Sequence, residues 1–269
     1  MEPVFPEGRR LRASRLAYLF GAPQRGDVME VVQAVCDAEG APLIVCGEEI
    51  TVRVIEQTLK GLRISVTGLR WLYESLTLPV LGRHQAQNAA LAIAALEALS
   101  TSGVPRSMVE RGLARVEWPG RLEVVSEAPL VLMDGGHNAH AVGALWQTLE
   151  ELCAGRRVHL LIGLSSDKSV EAIGQRLVGL PVSATCTMSR HPRAMDPMTL
   201  AGRLAPYCTD VHVMADPIDA YTYLVNAVSP QEVIVVTGSF FLVGELRSAL
   251  RQSHLRARRR LARPTLAAA

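Results

Sequence analysis

The spacing of apolar positions changes character part-way along the chain. In the first part, Asp27–Glu39 carries valines at Val28, Val31, Val32 and Val35, a helical spacing that Gly40 ends. Ala41–Cys46 reads as a short apolar strand. Thr51–Ile55, Leu62–Val66 and Trp71–Leu76 alternate or are β-branched, with Gly61 and Gly68 between them, which predicts antiparallel strands. A glycine-bearing turn at Leu81–Gln85 leads into Asn88–Ser100, almost entirely Ala and Leu. That run predicts a buried helix too short to span a bilayer. Residues 1–26 hold Pro3, Pro6 and Pro23 and read as irregular.

After Trp118-Pro119-Gly120-Arg121 the rhythm becomes that of an α/β protein. Short apolar runs fall at Leu130–Met133, Val158–Ile162, Ala184–Met188, Val211–Met214 and Val233–Val236. Between and after them, Ala139–Cys153, Val170–Leu177, Pro197–Ala205, Pro217–Val228 and Phe240–Arg251 have helical periodicity. Strands alternating with helices indicate βαβ units and a Rossmann-like, mainly parallel sheet. The pattern divides the chain into residues 1–126, residues 127–252 and a basic, flexible tail from 253 to 269.

Right-handed crossovers bring the carboxyl ends of parallel strands to one edge, where ligands bind. The first such strand is followed by Asp134-Gly135-Gly136-His137-Asn138, and the second by Gly163 and Ser165-Ser166-Asp167-Lys168. The third leads to Ser189-Arg190-His191-Pro192-Arg193 and the fifth to Thr237-Gly238-Ser239. An acid, an imidazole, an ammonium and a hydroxyl thus converge with helix N-termini, a set suited to an amino-acid substrate. Lys168, Ser239 and helix ends would take carboxylates, and Asp134 an amine. Plainer roles stand beside these: Gly135-Gly136 serves as a tight turn in most such proteins, Asn138 serves as a helix cap, and an isolated lysine is usually a surface residue. His191 and His212 receive no role on sequence grounds.

Charge and composition narrow the classes. Of 28 basic residues only Lys60 and Lys168 are lysines, and neither sits in a Gly-Lys-Ser/Thr phosphate loop. Six arginines lie from Arg251 onward with no acid among them; removing them leaves 22 basic against 26 acidic residues. The body is therefore mildly acidic, and with 4% aromatic residues it offers little to nucleic acid. No apolar run approaches the ~18 residues of a membrane span, and no secretory signal is apparent at the start. Five cysteines without metal-type spacing read as buried thiols of a reducing cytoplasm.

Several motifs together carry a resemblance. Gly82-Arg83-His84-Gln85 followed by Asn88-Ala89-Ala90 resembles the central-domain motif of the Mur ligase superfamily. Trp118-Pro119-Gly120-Arg121-Leu122-Glu123, then Asp134-Gly135-Gly136-His137-Asn138, then Thr237-Gly238-Ser239 with Leu242-Val243-Gly244-Glu245, are similar to the folylpolyglutamate synthase/dihydrofolate synthase branch. Gly40-Ala41-Pro42-Leu43 and Ala22-Pro23-Gln24 fit the same order, so the resemblance spans about residues 20–250.

The resemblance implies residues 1–126 as the later part of a central ATPase domain with its linker, and 127–252 as a glutamate-binding domain. It implies ligation of L-glutamate to a folate or dihydropteroate carboxylate, with ATP and Mg²⁺, through an acyl phosphate that the glutamate amine attacks. Carried over by motif, Asn88 would hold the adenine side of ATP and Arg121 the nucleotide phosphates. Asp134 would lie between nucleotide and amine, His137 and Ser239 would line the glutamate site, and Lys168 would bind a glutamate carboxylate. Asp134, His137 and Lys168 are the candidate catalytic groups.

Three departures accompany it. Gly136 and Ala139 stand where the family usually has Ala and Pro, and Phe240-Phe241 replaces a commoner aliphatic-aromatic pair. Family members are considerably longer and begin with the phosphate loop, the metal ligands and a modified lysine, so the chain is expected to lack that region. Activity is then expected only with a separate ATPase-domain chain. A catalytically inactive glutamate- or nucleotide-binding remnant and a peptidoglycan-precursor ligase fragment are the alternatives.

Overall fold

The computed structural model describes residues 19–22, 26–99 and 103–261, with side chains described from Gly21 to Arg251. The chain divides into two compact units, Met1–Trp118 and Pro119–Ala269. The sequence pattern put the change near residue 126. The division falls earlier because the segment after Trp118 hydrogen-bonds into the second unit: the Gly135 N–H donates to the Gly120 carbonyl at 2.8 Å.

In the first unit, β1 (Leu19–Gly21) and β2 (Leu43–Val45) form a parallel pair joined through α1 (Gly26–Glu39). The three predicted antiparallel strands are present as β3 (Thr51–Thr58), β4 (Gly61–Thr67) and β5 (Leu72–Leu78), with β4 central. The alanine-rich run forms α2 (His84–Leu99), and a further helix, α3 (Arg106–Leu113), follows. Small residues let α2 lie close to the sheet: Ala86, Ala89, Ala90, Ile93 and Ala94 pack in one core with Ile64, Val66 and Leu76. One buried acid interrupts that apolar contact. Glu97 accepts from the Tyr73 hydroxyl at 2.8 Å and from the Arg70 N–H at 2.9 Å. Both carboxylate oxygens are therefore satisfied, which burial requires.

The second unit is the α/β sheet. Its elements are β6 (Glu123–Glu127), β7 (Leu130–Met133), α4 (Ala139–Leu152), β8 (Val158–Ile162), α5 (Val170–Gly174) and β9 (Val182–Cys186). Then come α6 (Pro197–Leu204), a 3₁₀ turn at Ala205–Tyr207, β10 (Asp210–Val213), α7 (Pro217–Ala227), β11 (Val233–Thr237) and α8 (Phe240–Leu261). The strand order is β10-β9-β8-β11-β7-β6, parallel throughout except for β6, which runs antiparallel to β7. Alternation sends Val131, Met133, Leu161, Ile234 and Val236 to the face covered by α7 and α8. The opposite positions, Leu130, Leu132, Leu160 and Ile162, are equally buried, which is why these strands read as continuous apolar runs.

The return of the last strand positions the site. The chain passes from β7 to β8, continues outward to β9 and β10, and comes back to insert β11 between β8 and β7. The loops that follow β7, β11 and β8 are consequently neighbours at one edge, at the point where the winding direction reverses. At the far end the structure departs from expectation. The segment read as a flexible tail from residue 253 is helical through Leu261, because α8 continues without a break; residues 262–269 lie outside the described residues.

Candidate functional site

Asp134 leaves β7 at its carboxyl end, where its N–H donates to the Val236 carbonyl at 2.9 Å and extends the ladder by one residue. Its side chain is buried. Oδ1 accepts from the Gly136 N–H at 2.8 Å and Oδ2 from the Leu122 N–H at 3.0 Å. The carboxylate thereby ties the turn that follows it to the segment that precedes β6. Leu122 makes this contact in the left-handed region, at φ 47°, a conformation a leucine adopts only at a cost of roughly 1–3 kcal/mol. Burial of its side chain, at 2% exposure, helps to hold it there.

The turn at Gly135-Gly136 packs closely against neighbouring side chains at both glycines. A Cβ on Gly135 would stand 2.3 Å from the Phe240 ring, and one on Gly136 would stand 2.6 Å from Asp134 Oδ1. The Gly136 carbonyl accepts from the Gly238 N–H at 2.9 Å and the Thr237 hydroxyl at 3.3 Å, joining the loops after β7 and β11. The loop after β8 joins them through Gly163, whose N–H donates to the Thr237 carbonyl at 3.2 Å. Gly238 sits at φ 99° with the Gly163 carbonyl where a side chain would go, 2.7 Å from an added Cβ.

Two helices open from this junction. Asn138 caps α4, its Oδ1 accepting from the Ala141 N–H at 2.9 Å, so the helix starts at Ala139. Ser239 caps α8: its hydroxyl accepts from the Phe241 N–H and its carbonyl from the Val243 N–H, each at 3.1 Å. Free N–H groups at both helix starts favour an anion here.

Basic groups surround the junction. The Arg121 guanidinium lies over the Phe240 ring, 4.6 Å from its centroid, and the His137 ring meets the same phenylalanine edge-on at 6.4 Å. His137 Nδ1 is 3.1 Å from the Gly135 carbonyl. A carbonyl only accepts, so the bond requires the proton on Nδ1 and, in the neutral ring, leaves Nε2 as the acceptor. Lys168 pairs with its neighbour Asp167 at 2.8 Å, which holds the Asp167 carboxyl below its ordinary range.

Residues 120–240 match the model of the Mur ligase glutamate ligase domain. The second unit belongs to the Mur ligase family. Over 242 residues the chain is 33% identical to the dihydrofolate synthase/folylpolyglutamate synthase of Mycobacterium tuberculosis, covering 82% of this chain and 49% of that protein. The corresponding Bacillus subtilis protein is 26% identical over 230 residues, covering 84% and 53%. Among solved structures, M. tuberculosis folylpolyglutamate synthase complexed with ADP and AMPPCP aligns with a TM-score of 0.78 at 30% identity, covering 86% of this chain and 55% of that one. The chain spans about half the length of the curated relatives it matches.

Within this Mur ligase domain, Asp134, His137, Ser239 and Arg121 gather at one junction, while Lys168 lies on the adjoining loop. Asn88 belongs to the first unit, exposed on α2, where its amide donates to Gln85 Oε1 at 2.9 Å. Sequence reasoning missed several contacts. Glu123 accepts from the Gly120 N–H at 2.9 Å and from Arg247 Nε, fastening the linker to α8. His191, left without a role, stacks on Phe241 at 3.6 Å, and Arg190 pairs with Glu245. The advance signs were the Phe240-Phe241 pair and the presence of Glu123 and Glu245 in the quoted motifs.

The two groups that Mur-type ligation implies fit differently. Arg121, a fixed cation at the junction, suits the phosphates of a nucleotide. For a metal ion, no group of three or more His, Cys, Asp or Glu able to hold one occurs among the described residues, and Asp134 already uses both oxygens on backbone N–H groups. The residues described here do not by themselves build a metal site.

Proposed function

We propose that the chain serves ATP-dependent, ADP-forming ligation of L-glutamate to the carboxylate of a folate or dihydropteroate acceptor. The supporting observation is the hydrogen-bonded junction in which the 120–122 linker, the 134–136 turn, Gly163 and Thr237-Gly238 meet at the reversal point of the sheet. In such a ligase the acceptor carboxyl is activated as an acyl phosphate. The glutamate nitrogen attacks its carbon, a C–N bond forms, and phosphate leaves with the carboxyl oxygen.

Motif resemblance and the local geometry together support these roles. Asp134 orients the turn and the linker through its two backbone contacts, fixing where the amine meets the acyl group. His137, with Nδ1 committed to Gly135, presents Nε2 to take the proton that the attacking ammonium must lose. Ser239, the adjoining α8 start and Lys168 receive the glutamate carboxylates; Lys168 exchanges Asp167 for the substrate. Arg121 meets nucleotide phosphate, where fixed cations stabilise developing charge. Asn88, on α2 of the first unit, is assigned to the adenine side of ATP by its motif alone.

The test is glutamate-dependent ADP release from ATP with a pteroate-type acceptor, using this chain alone and with the ATPase domain of a folylpolyglutamate synthase supplied as a separate chain. The reading expects release that requires glutamate and acceptor together. No release in either mixture would overturn it, and tight ADP binding without turnover would favour a non-catalytic binding module.

A further inference from the structure

Two of the four phenylalanines in the chain stand side by side at the start of α8, and both are unusually open, Phe240 at 41% and Phe241 at 44% exposure. Core packing does not account for rings left this accessible. Each instead meets basic groups from other segments. The face of Phe240 carries the Arg121 guanidinium, and the same ring meets His137 at an interplanar angle of 66°. Phe241 lies nearly parallel to His191, at 15°. The Phe240 ring also rests directly on Gly135 and reaches within 3.8 Å of where a Gly120 Cβ would be. One side chain thus touches the linker, the Asp134 turn and both basic groups of the junction.

We infer that Phe240 is a positioning residue of the site. Its face aligns the Arg121 guanidinium and its T-shaped contact fixes the His137 imidazole, setting the direction in which the two meet an anionic ligand. Stacking engages the flat face of a guanidinium and leaves its in-plane N–H edge for bidentate contact with phosphate or carboxylate. An aliphatic residue at this position would cover Gly135 equally well but has no negative ring face to hold a cation. Among the described residues, the ring is the group on which the Arg121 guanidinium rests. The identity of the anion rests on the proposed function; the orientation of Arg121 and His137 does not.

The test uses the full chain and the variants Phe240→Leu, Phe240→Tyr and Phe241→Leu. Side-chain NMR reads the Arg121 δ-methylene and Nε–H signals, which a ring face shifts upfield, together with the His137 ring signals. The upfield shift is expected in the wild-type chain, in Phe240→Tyr and in Phe241→Leu, and is lost in Phe240→Leu. Calorimetry with ADP then reads the consequence. Phe240→Leu is expected to weaken binding roughly three- to tenfold, Phe240→Tyr to restore it, and Phe240→Leu to add nothing to Arg121→Gln. Arg121 signals unchanged in Phe240→Leu would overturn the inference. So would an equal loss of ADP affinity from Phe240→Leu with and without Arg121→Gln, because the ring would then act through packing alone. Should Arg121→Gln leave ADP binding unaltered, the nucleotide assignment of the proposed function fails instead, and the spectra decide the positioning role.

Discussion

Leu122 donates its backbone N–H to Asp134 Oδ2 at 3.0 Å while holding a left-handed backbone at φ 47°. A strained linker residue and a candidate site carboxylate therefore depend on each other. Asp134→Asn can accept from only one of the two N–H groups, since its amide nitrogen is itself a donor. Loss of about 1–3 kcal/mol from the second unit is expected in urea denaturation, with the Leu122 amide exchanging faster with solvent. Unchanged stability would show that the latch contributes nothing.

Gly238→Ala tests the junction from the other side. The substitution places a Cβ 2.7 Å from the Gly163 carbonyl at a backbone angle that L-residues resist. Destabilisation of more than about 2 kcal/mol is expected, with thermal unfolding as the measure. Gly202→Ala, within α6 and with nothing within 4 Å of the added Cβ, is the matched control and should not destabilise.

In the first unit, Tyr73→Phe leaves Glu97 Oε1 buried without its hydroxyl donor. A cost of about 1–3 kcal/mol is expected. Tyr73→Phe/Glu97→Gln should cost less than the sum of the two single changes, as expected of partners in contact.

The pair between α5 and α6 should give a pH signature. Arg203 donates from Nε and Nη2 to the two Glu171 oxygens, each at 2.7 Å, and this fork holds the Glu171 carboxyl down to about 2. The folded value lies below the ordinary one, so the contribution is full above about pH 4.5 and is lost as pH falls towards about 2. Melting temperatures of the wild-type chain and Arg203→Gln should differ near neutral pH and converge by about pH 2. Because both groups face solvent, salt should narrow the difference as well.

Much of the second unit was legible because its strands are buried on both faces. Leu130–Met133 and Val158–Ile162 coincide with the observed strands residue for residue. The edge strand Glu123–Glu127 was missed: it is half-buried as far as Ser126 and exposed at Glu127, and Glu-Val-Val-Ser-Glu carries no clear alternation. The site loops could be found from the strand ends, but not their neighbours. Burial of Val233–Thr237 says nothing of its insertion between β7 and β8, and that insertion brings Ser239 to the Asp134 turn. A left-handed Leu122 leaves no mark in composition, since glycine is the residue that usually signals such a backbone. The Phe240 contacts needed the linker and α8 to be placed in space, although an aromatic pair at a helix start was visible as an oddity.

The most direct test of the central claim, that this junction receives L-glutamate, is to titrate L-glutamate into the isotopically labelled chain and follow its backbone amides. Saturable shifts are predicted at Gly135, Gly136, His137, Lys168 and Ser239, reduced in Ser239→Ala and absent with D-glutamate or glutarate. Shifts confined to other parts of the chain, or the same response to glutarate, would contradict it.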